Sequence, residues 1–271
     1  MIAVATSAAL PALDPDSVPL LQALGERGVD ARPAIWTDPG VDWSAFDAIL
    51  VRSTWDYYDR FEEFLAWVAA APVPMFNPPG VVAWNAHKSY LRDLAERGVP
   101  VVDTVWLATG ERTEVAWPQA VVKPAVAGSA KGLRRADGGE RVEALHHDLL
   151  VQPFLPSIRD EGELSLLYAA GELTHAVRKT PHPGDIRVQT EWGGSTATID
   201  PEAEAVVVAE AALAAVDADL LYARVDLVRA ADGTLRLIEL ELIEPSLFLL
   251  GNPAATARFA DAFSAAFAPS R

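Results

Sequence analysis

Cysteine is absent from all 271 residues of the sequence. Its absence excludes disulfide bonds, thiolate metal sites, iron–sulfur clusters and a cysteine nucleophile. Long apolar runs are absent too, since none approaches the roughly 20 residues of a transmembrane helix. The apolar opening of the chain lacks the basic residues that begin a signal peptide, and Thr6 and Ser7 interrupt it. We therefore expect a cytoplasmic protein without a membrane partner.

Basic residues are scarce: 22 Lys and Arg stand against 38 Asp and Glu, which gives a formal charge of −16. This balance argues against a nucleic-acid partner, because such a partner needs a basic face. The hydrophobic fraction of 51% and the charged fraction of 22% are typical of a folded globular protein.

Lysine is the scarcer of the two basic residues, and the chain contains only Lys88, Lys123, Lys131 and Lys179. Arginine serves at every other basic position. Because of this bias, a position that does carry lysine is one where a compact ammonium charge is more often required than a planar guanidinium. For any one lysine, chance placement on a solvated surface is an equally good explanation.

Residues 1–83 show alternating strand and helix patterns, which are typical of an α/β domain. The expected elements are strands at 1–5, 31–36 and 47–52 and helices at 14–28 and 59–70. Arg52, Ser53 and Thr54 follow the third strand, at the sheet edge where ligands bind in open α/β folds. A loop that merely packs on the core accounts for this segment equally well.

From Trp84 onward the order of the elements is mixed, which favours α+β lobes. Asn85 is expected to cap a helix that ends at Gly98. The other expected elements are strands at 100–107, 120–123 and 149–155, hairpins at 164–178 and 221–242, and helices at 201–216 and 253–267.

The last hairpin predicts a cluster of carboxylates. Asp232-Gly233 is typical of a two-residue turn, and such a turn places Asp226 opposite Glu239 and Arg224 opposite Glu241. Like charges that face each other across strands are destabilising, so the cluster requires compensation. Arg224 supplies part of it, and a divalent cation held by oxygen ligands supplies more. A solvated acidic sheet face is the alternative.

A second candidate site is the segment VVKPAVAGSAKG at 121–132. Lys123 ends a predicted strand, and the small residues that follow allow backbone N–H groups to approach an anion. The segment is not a Walker A motif. On its own an ordinary surface turn explains it better, but a small-residue loop, isolated lysines and three carboxylates together are the parts needed for phosphoryl transfer from Mg-ATP.

Motifs from Trp84 to about Gly251 occur in a characteristic order: NAHKSYL, VVKP, GSAKG, LLVQPFLP, EGELSL, DIRVQTEWGG and RVDLV followed by LIELELIEP. In this order they resemble ligases of the ATP-grasp superfamily that have an ATP-binding domain like that of glutathione synthetase. RSTWDYYD at 52–59, AVRKTPHPGDIRVQ and ELELIEPSLFL are similar to a subgroup that includes the cyclase forming D-cycloserine from O-ureido-serine.

The resemblance implies specific roles. ATP is expected at Lys88, Lys123, Gly128, Ser129, Lys131, Gly132, Gln152, Phe154, Leu155 and Glu163. Mg²⁺, or Mn²⁺ in its place, is expected at Asp226, Glu239 and Glu241. Arg187 and Lys123 are the expected catalytic charges. The chain departs from the superfamily at Glu241, where an Asn is usual, and at Gln152, where the hinge usually has an acidic residue.

The resemblance also implies a fold and an activity. The fold is an N-terminal Rossmann-like pre-ATP-grasp domain at 1–83, followed by a two-lobed ATP-grasp fold at 84–153 and 154–271. The activity is that of an ADP-forming carboxylate–amine ligase or intramolecular cyclase, acting through an acylphosphate on a small amino-acid-like substrate. A nucleotide-binding regulatory module without turnover and an ATP-dependent kinase are the alternatives. The sequence is compatible with a monomer or a homodimer.

The substrate is expected between the first domain and the lobe that carries the carboxylates. Arg52 is a candidate clamp for a substrate carboxylate because a guanidinium binds it through two hydrogen bonds. The remaining predicted substrate contacts are Ser53, Thr54, Lys179, Glu244 and Ser246.

Overall fold

The computed structural model describes residues 1–267. Its strands are β1 (Ile2–Thr6), β2 (Ala31–Ile35), β3 (Ala48–Ser53), β4 (Met75–Phe76), β5 (Val105–Leu107), β6 (Arg112–Glu114), β7 (Gln119–Pro124), β8 (Arg134–Asp137), β9 (Arg141–Glu143), β10 (Leu149–Pro153), β11 (Glu163–Ala169), β12 (Glu172–Thr180), β13 (Ser195–Ile199), β14 (Tyr222–Arg229) and β15 (Leu235–Glu241). Its α-helices are α1 (Val18–Glu26), α2 (Phe61–Ala69), α3 (Pro79–Asn85), α4 (Tyr90–Glu96), α5 (Ser157–Asp160), α6 (Ala203–Ala214) and α7 (Pro253–Phe267). Within these described residues, no helix has the length and apolar character needed to span a membrane.

The first sheet is parallel, with the strand order β2-β1-β3-β4. Ile2 of β1 lies in one buried cluster with Leu24 of α1 and Phe263 of α7. Ala3 lies in another, with Phe64 of α2. Because successive side chains of a strand point to opposite faces, helices cover both faces of this sheet. The α/β prediction for this part of the chain is confirmed.

The remaining sheets are antiparallel. The second has the order β5-β10-β7-β8, the third has the order β13-β12-β11-β14-β15, and β6 pairs with β9. Leu91 of α4 and Val208 of α6 share a buried cluster with Leu166 of β11 and Leu227 of β14. The predicted α+β organisation after the first sheet is confirmed.

Helix α1 begins at Val18 and not at the predicted Asp14. The Asp14 carboxylate accepts hydrogen bonds from the hydroxyl groups of Ser17 and Ser53, each at 2.6 Å. It therefore ties the loop before α1 to the end of β3. The predicted start was wrong because Asp-Pro initiates turns as readily as helices.

Two buried asparagines fasten the segment after the first sheet to the third sheet. Asn77 donates hydrogen bonds to the carbonyl oxygens of Tyr222 (2.9 Å) and Leu242 (2.8 Å). Asn85 donates to the carbonyl of Leu240 (2.9 Å) and accepts from the amide of Leu242 (2.9 Å). Asn85 is the last residue of α3, so its predicted role as the cap of the next helix is wrong. These bonds fix β15 beside the first sheet.

The hairpin of β14 and β15 has the predicted pairing at its functional end. Arg224 lies opposite Glu241, and Asp226 lies opposite Glu239. The carboxylates therefore meet where β14 and β15 run beside the segment fastened by the two asparagines.

The loop of this hairpin is one residue longer than predicted. The amide of Gly233 donates to the carbonyl of Ala230 (3.0 Å), and the loop spans 231–233. Leu227 then pairs with Leu237, and a β-bulge follows at Ile238. Because the bulge adds one residue on the second strand, it cancels the effect of the longer loop on the register.

Candidate active site

A cavity of about 830 Å³ is lined by residues of the first sheet's loops and of both larger antiparallel sheets. The predicted site residues on its wall are Lys88, Lys123, Gly128, Ser129, Lys131, Gln152, Phe154, Leu155, Glu163, Lys179, Arg187, Glu239, Glu241, Glu244 and Ser246. Gln152, which is buried, donates a hydrogen bond from Nε2 to the hydroxyl of Thr104 at 2.9 Å.

Three carboxylates meet beside this cavity, on the paired strands β14 and β15. One oxygen from each of Asp226, Glu239 and Glu241 lies within 4.8 Å of the other two. Oxygen ligands at this spacing suit a hard divalent cation. The structure thus brings the three predicted metal ligands together.

Cations offset the negative charge of these carboxylates. Asp226 accepts hydrogen bonds from Nζ of Lys179 and Nη2 of Arg224, both at 2.9 Å, and Arg224 also pairs with Glu241. Burial alone would raise the pKa of Asp226, but Arg224 and Lys179 hold it well below its usual range. The nearby positive charge offsets the burial of Glu241 less fully, and burial raises the pKa of Glu241 to about 7. The expected contribution of Arg224 is therefore present, and Lys179 adds to it.

Two of the four lysines converge on Glu239. Nζ of Lys88 lies 2.9 Å from Oε1 of Glu239 and donates to the carbonyl of Ala127 at 2.8 Å. Burial lowers the pKa of Lys123, against the opposing charge of Glu239. Burial alone would raise the pKa of Glu239, but Lys88 and Lys123 bring it below the usual value. A negatively charged ligand in the cavity therefore meets two ammonium groups beside the carboxylates.

Two glycines of the loop at 125–132 lie too close to neighbouring rings to accept a side chain without a shift. A Cβ added at Gly128 would lie 2.9 Å from Cε1 of Tyr58, and one added at Gly132 would lie 2.8 Å from the ring of Pro124. Gly132 itself lies outside the cavity wall. Nζ of Lys131 lies over the ring of Tyr58, 4.3 Å from the ring centroid. The loop is therefore packed against the first domain of the chain.

Lys179 and Glu163 form a buried ion pair within the site. Burial alone would lower the pKa of Lys179, but Asp226 and Glu163 raise it. The sequence predicts Glu163 as an ATP contact and Lys179 as a substrate contact. In the structure Lys179 lies on the cavity wall, and its ammonium group pairs with both Glu163 and Asp226.

Arg187 lies on the cavity wall and is held by Asp185. Its Nε donates to Oδ1 of Asp185 at 3.0 Å, and its Nη2 donates to Oδ2 at 2.6 Å. These hydrogen bonds keep the pKa of Asp185 well below its usual range. Arg187 is thus directed by a side chain two residues before it.

The comparisons identify the family. Residues 2–77 match the protein family described as D-cycloserine synthetase DcsG, N-terminal domain. The chain is 33% identical to the cycloserine biosynthesis protein DcsG of Streptomyces lavendulae over 99% of each sequence. The crystal structure of D-cycloserine synthetase DcsG is similar with a TM-score of 0.85 and 30% identity, covering 98% of this chain and 99% of that chain. The chain belongs to the DcsG family.

The fold of this DcsG family member is also that of more distant ATP-grasp ligases. The ATP-grasp ligase PsnB, in complex with a phosphomimetic variant of its minimal precursor, Mg and ADP, has a TM-score of 0.66 and 17% identity over 98% of each chain. D-alanine–D-alanine ligase from Bacillus anthracis has a TM-score of 0.66 and 13% identity over 96% of this chain and 94% of that chain. The prediction of an ATP-grasp fold is confirmed.

Three predicted substrate contacts do not reach the cavity of this DcsG family member. Arg52 is buried and donates through Nη2 to the carbonyl of Pro245 at 2.7 Å, and its guanidinium lies over the ring of Tyr222. Ser53 and Thr54 are fully buried beside it. The loop that follows β15 covers the end of β3, and this cover accounts for their absence from the cavity wall.

Asp16 is a cavity residue that sequence reasoning missed. Its carboxylate accepts hydrogen bonds from the hydroxyl of Ser246 (3.2 Å) and from the amides of Leu247 (2.8 Å) and Leu250 (3.0 Å). It thereby holds the loop after β15 against the start of the chain. No local pattern signals this role, because the partners lie more than 200 residues away in sequence.

Proposed function

We propose that this chain is an ADP-forming cyclase, which joins the carboxylate of an amino-acid-like substrate to a nitrogen of the same molecule. The observation that carries the proposal is the convergence of the carboxylates with Lys88 and Lys123 on one cavity. Its relative DcsG is named a D-cycloserine synthetase. A volume of about 830 Å³ lies within the range of small-molecule sites.

ATP binds, in this proposal, with its phosphates toward Lys88 and Lys123. These ammonium groups act as point charges for phosphate oxygens, as lysines do in other nucleotide sites. The small residues at 125–132 permit close approach of the backbone to the same phosphates. The adenine end lies toward Gln152, Phe154 and Leu155, where the second sheet joins the third.

Mg²⁺ fits the oxygen donors of Asp226, Glu239 and Glu241, and Mn²⁺ is a chemically compatible substitute. When bound, the ion neutralises charge on the phosphate oxygens of ATP. The departure from the usual Asn at Glu241 does not remove an oxygen donor. It adds a negative charge, which Arg224 offsets through its ion pair.

The proposed reaction has two balanced steps. In the first, an oxygen of the substrate carboxylate bonds to the γ-phosphorus, the bond from that phosphorus to ADP breaks, and an acylphosphate forms. In the second, a substrate nitrogen bonds to the acyl carbon, phosphate leaves, and the nitrogen gives up a proton to water. Lys123 and Arg187 stabilise the charge on the transferred phosphoryl group.

The substrate lies, in this proposal, where the first domain faces the loop after β15. Glu244 and Ser246 line the cavity here, together with Trp55 and Tyr57 from the first domain. This domain is the segment that matches the N-terminal domain of DcsG. Its contribution to the wall supports a small substrate related to that of DcsG.

Phosphorus NMR of the protein with Mg-ATP tests the proposal. The amino acids to add are O-ureido-D-serine, O-ureido-L-serine, D-serine and D-alanine, each alone. We expect ADP and phosphate in equal amounts with an O-ureido-serine, a cyclic product by mass spectrometry, and turnover about 10²–10³-fold lower in Glu239→Gln. AMP with pyrophosphate would overturn the acylphosphate step, and a phosphorylated hydroxyl product would indicate a kinase. Nucleotide binding without turnover would favour a regulatory module.

A further inference from the structure

Trp192 contacts two parts of the active site that are distant in sequence. Its Nε1 donates to the carbonyl of Ser129 at 3.0 Å, and its ring lies 3.7 Å from Cζ of Arg187. Trp192 is 39% exposed and is not among the residues that line the cavity. One side chain therefore joins the loop at 125–132 to Arg187, and both of these line the cavity.

The ring of Trp192 and the carboxylate of Asp185 hold the guanidinium of Arg187 in two different ways. Asp185 accepts two hydrogen bonds along the guanidinium edge, at 2.6 and 3.0 Å. The indole covers one of its faces, in the geometry of a cation–π contact. A flexible side chain held at both its edge and its face has few alternative orientations.

The hydrogen bond from Trp192 reaches a strained part of the loop. Ser129 and Ala130 have φ values of +52° and +54°, in the left-handed region. Residues other than glycine stay in this region only when their surroundings hold them. The bond to the carbonyl of Ser129 is one such restraint, and the ring of Tyr58 against Gly128 is another.

We propose that Trp192 is a positioning residue that fixes the loop at 125–132 and the guanidinium of Arg187 relative to each other. Its N–H holds the loop at Ser129 for nucleotide binding, and its ring holds Arg187 for phosphoryl transfer. This inference rests on the proposed function, because it takes the loop as a contact of the ATP phosphates and Arg187 as a contact of the transferred phosphoryl group.

Two substitutions separate the two contacts. Trp192→Phe keeps a ring over Arg187 and removes the N–H, so we expect the Kd for Mg-ADP to rise about 3–10-fold, with kcat little changed. Trp192→Leu removes both contacts and lowers kcat about 5–20-fold as well. Trp43→Phe is the matched control, because Trp43 packs against Trp67 in the first domain, away from the cavity.

A double-mutant cycle with Arg187→Ala distinguishes positioning from a structural role. If Trp192 acts through Arg187, adding Trp192→Leu to Arg187→Ala leaves kcat within about 2-fold of the single variant. An equal loss of kcat in both backgrounds would overturn the inference. So would an unchanged Kd for Mg-ADP in Trp192→Phe. The Kd is measured by calorimetry without turnover, so a failure of the proposed ligase reaction leaves this arm intact.

Discussion

Nζ of Lys88 lies 2.9 Å from Oε1 of Glu239 and 2.8 Å from the carbonyl of Ala127. One lysine thus touches both the carboxylate cluster and the loop at 125–132. Lys123 adds a second ammonium beside the same carboxylate, whose pKa the two lysines lower against the effect of burial. In this site lysine ammonium groups and carboxylates lie next to one another. Removing one of these charges therefore changes the pKa values of its neighbours.

Glu239→Gln keeps the shape of the side chain but removes its charge. We expect kcat for ADP formation to fall about 10²–10³-fold, because the variant loses a metal ligand and the partner of Lys88. The change is measured by coupled detection of ADP, with circular dichroism to confirm the fold. Glu172→Gln, at an exposed position on β12, is the control and keeps wild-type turnover. Near wild-type turnover in Glu239→Gln would remove Glu239 from the site.

Lys123→Met preserves most of the buried volume without the ammonium group. Because burial disfavours the charge of Lys123 in the ligand-free protein, we expect the Tm to remain the same or to rise. Turnover falls by about 10²-fold or more, because charge on the phosphoryl group is no longer stabilised. Calorimetry and the ADP assay on the same preparation check both expectations. A large loss of Tm would instead assign Lys123 a structural role.

The raised pKa of Glu244 predicts that the stability of the metal-free protein depends on pH. Burial, reinforced by Glu241, raises its pKa from 4.5 to about 8. The folded protein binds the extra proton between these values, so the free energy of unfolding falls as the pH rises from about 4.5 to about 8. Removing this group with Glu244→Gln stabilises the protein at pH 8.5 by an amount on the order of 1–3 kcal/mol, with little effect at pH 4.5.

Urea unfolding at both pH values in the presence of EDTA measures this difference. The exposed variant Glu172→Gln is the control and changes stability by the same small amount at each pH. If Glu244→Gln gave the same stabilisation at pH 4.5 and pH 8.5, the raised pKa of Glu244 would be wrong.

Asn77 and Asn252 provide a contrast between two hydrogen-bonding asparagines. Asn77 satisfies the buried backbone groups of Leu221, Tyr222 and Leu242. Asn77→Ala leaves them unpaired and is expected to cost about 3–5 kcal/mol. Asn252 accepts from the amide of Ala255 at the start of α7, so Asn252→Ala costs about 1 kcal/mol. Similar losses for both in urea unfolding would show that Asn77 does not fasten its segment to the third sheet.

The carboxylate cluster could be predicted from the sequence because hairpin pairing is local. Asp226 and Glu239 face each other as predicted, although the loop is one residue longer than expected. The bulge at Ile238 restores the register, and no sequence pattern marked it. The correct pairing therefore rests on two deviations that cancel.

The substrate side was harder to predict because its wall is built from residues distant in sequence. Arg52 lies within the last residues of β3, where the loop after β15 covers it and its guanidinium donates to the carbonyl of Pro245. Asp16, on this wall, is held by partners more than 200 residues along the chain. The local periodicity of the sequence predicts the helices and strands that form such a wall. It does not predict which of them contact one another.

In the proposed mechanism, ATP activates the carboxylate of the substrate. This step is tested with O-ureido-serine labelled with ¹⁸O in its carboxylate, together with Mg-ATP and the wild-type protein. We expect one ¹⁸O atom in the released phosphate, seen as an upfield shift of its phosphorus NMR signal. Turnover that released only unlabelled phosphate would contradict it, because the phosphoryl group would never have been bonded to the substrate carboxylate.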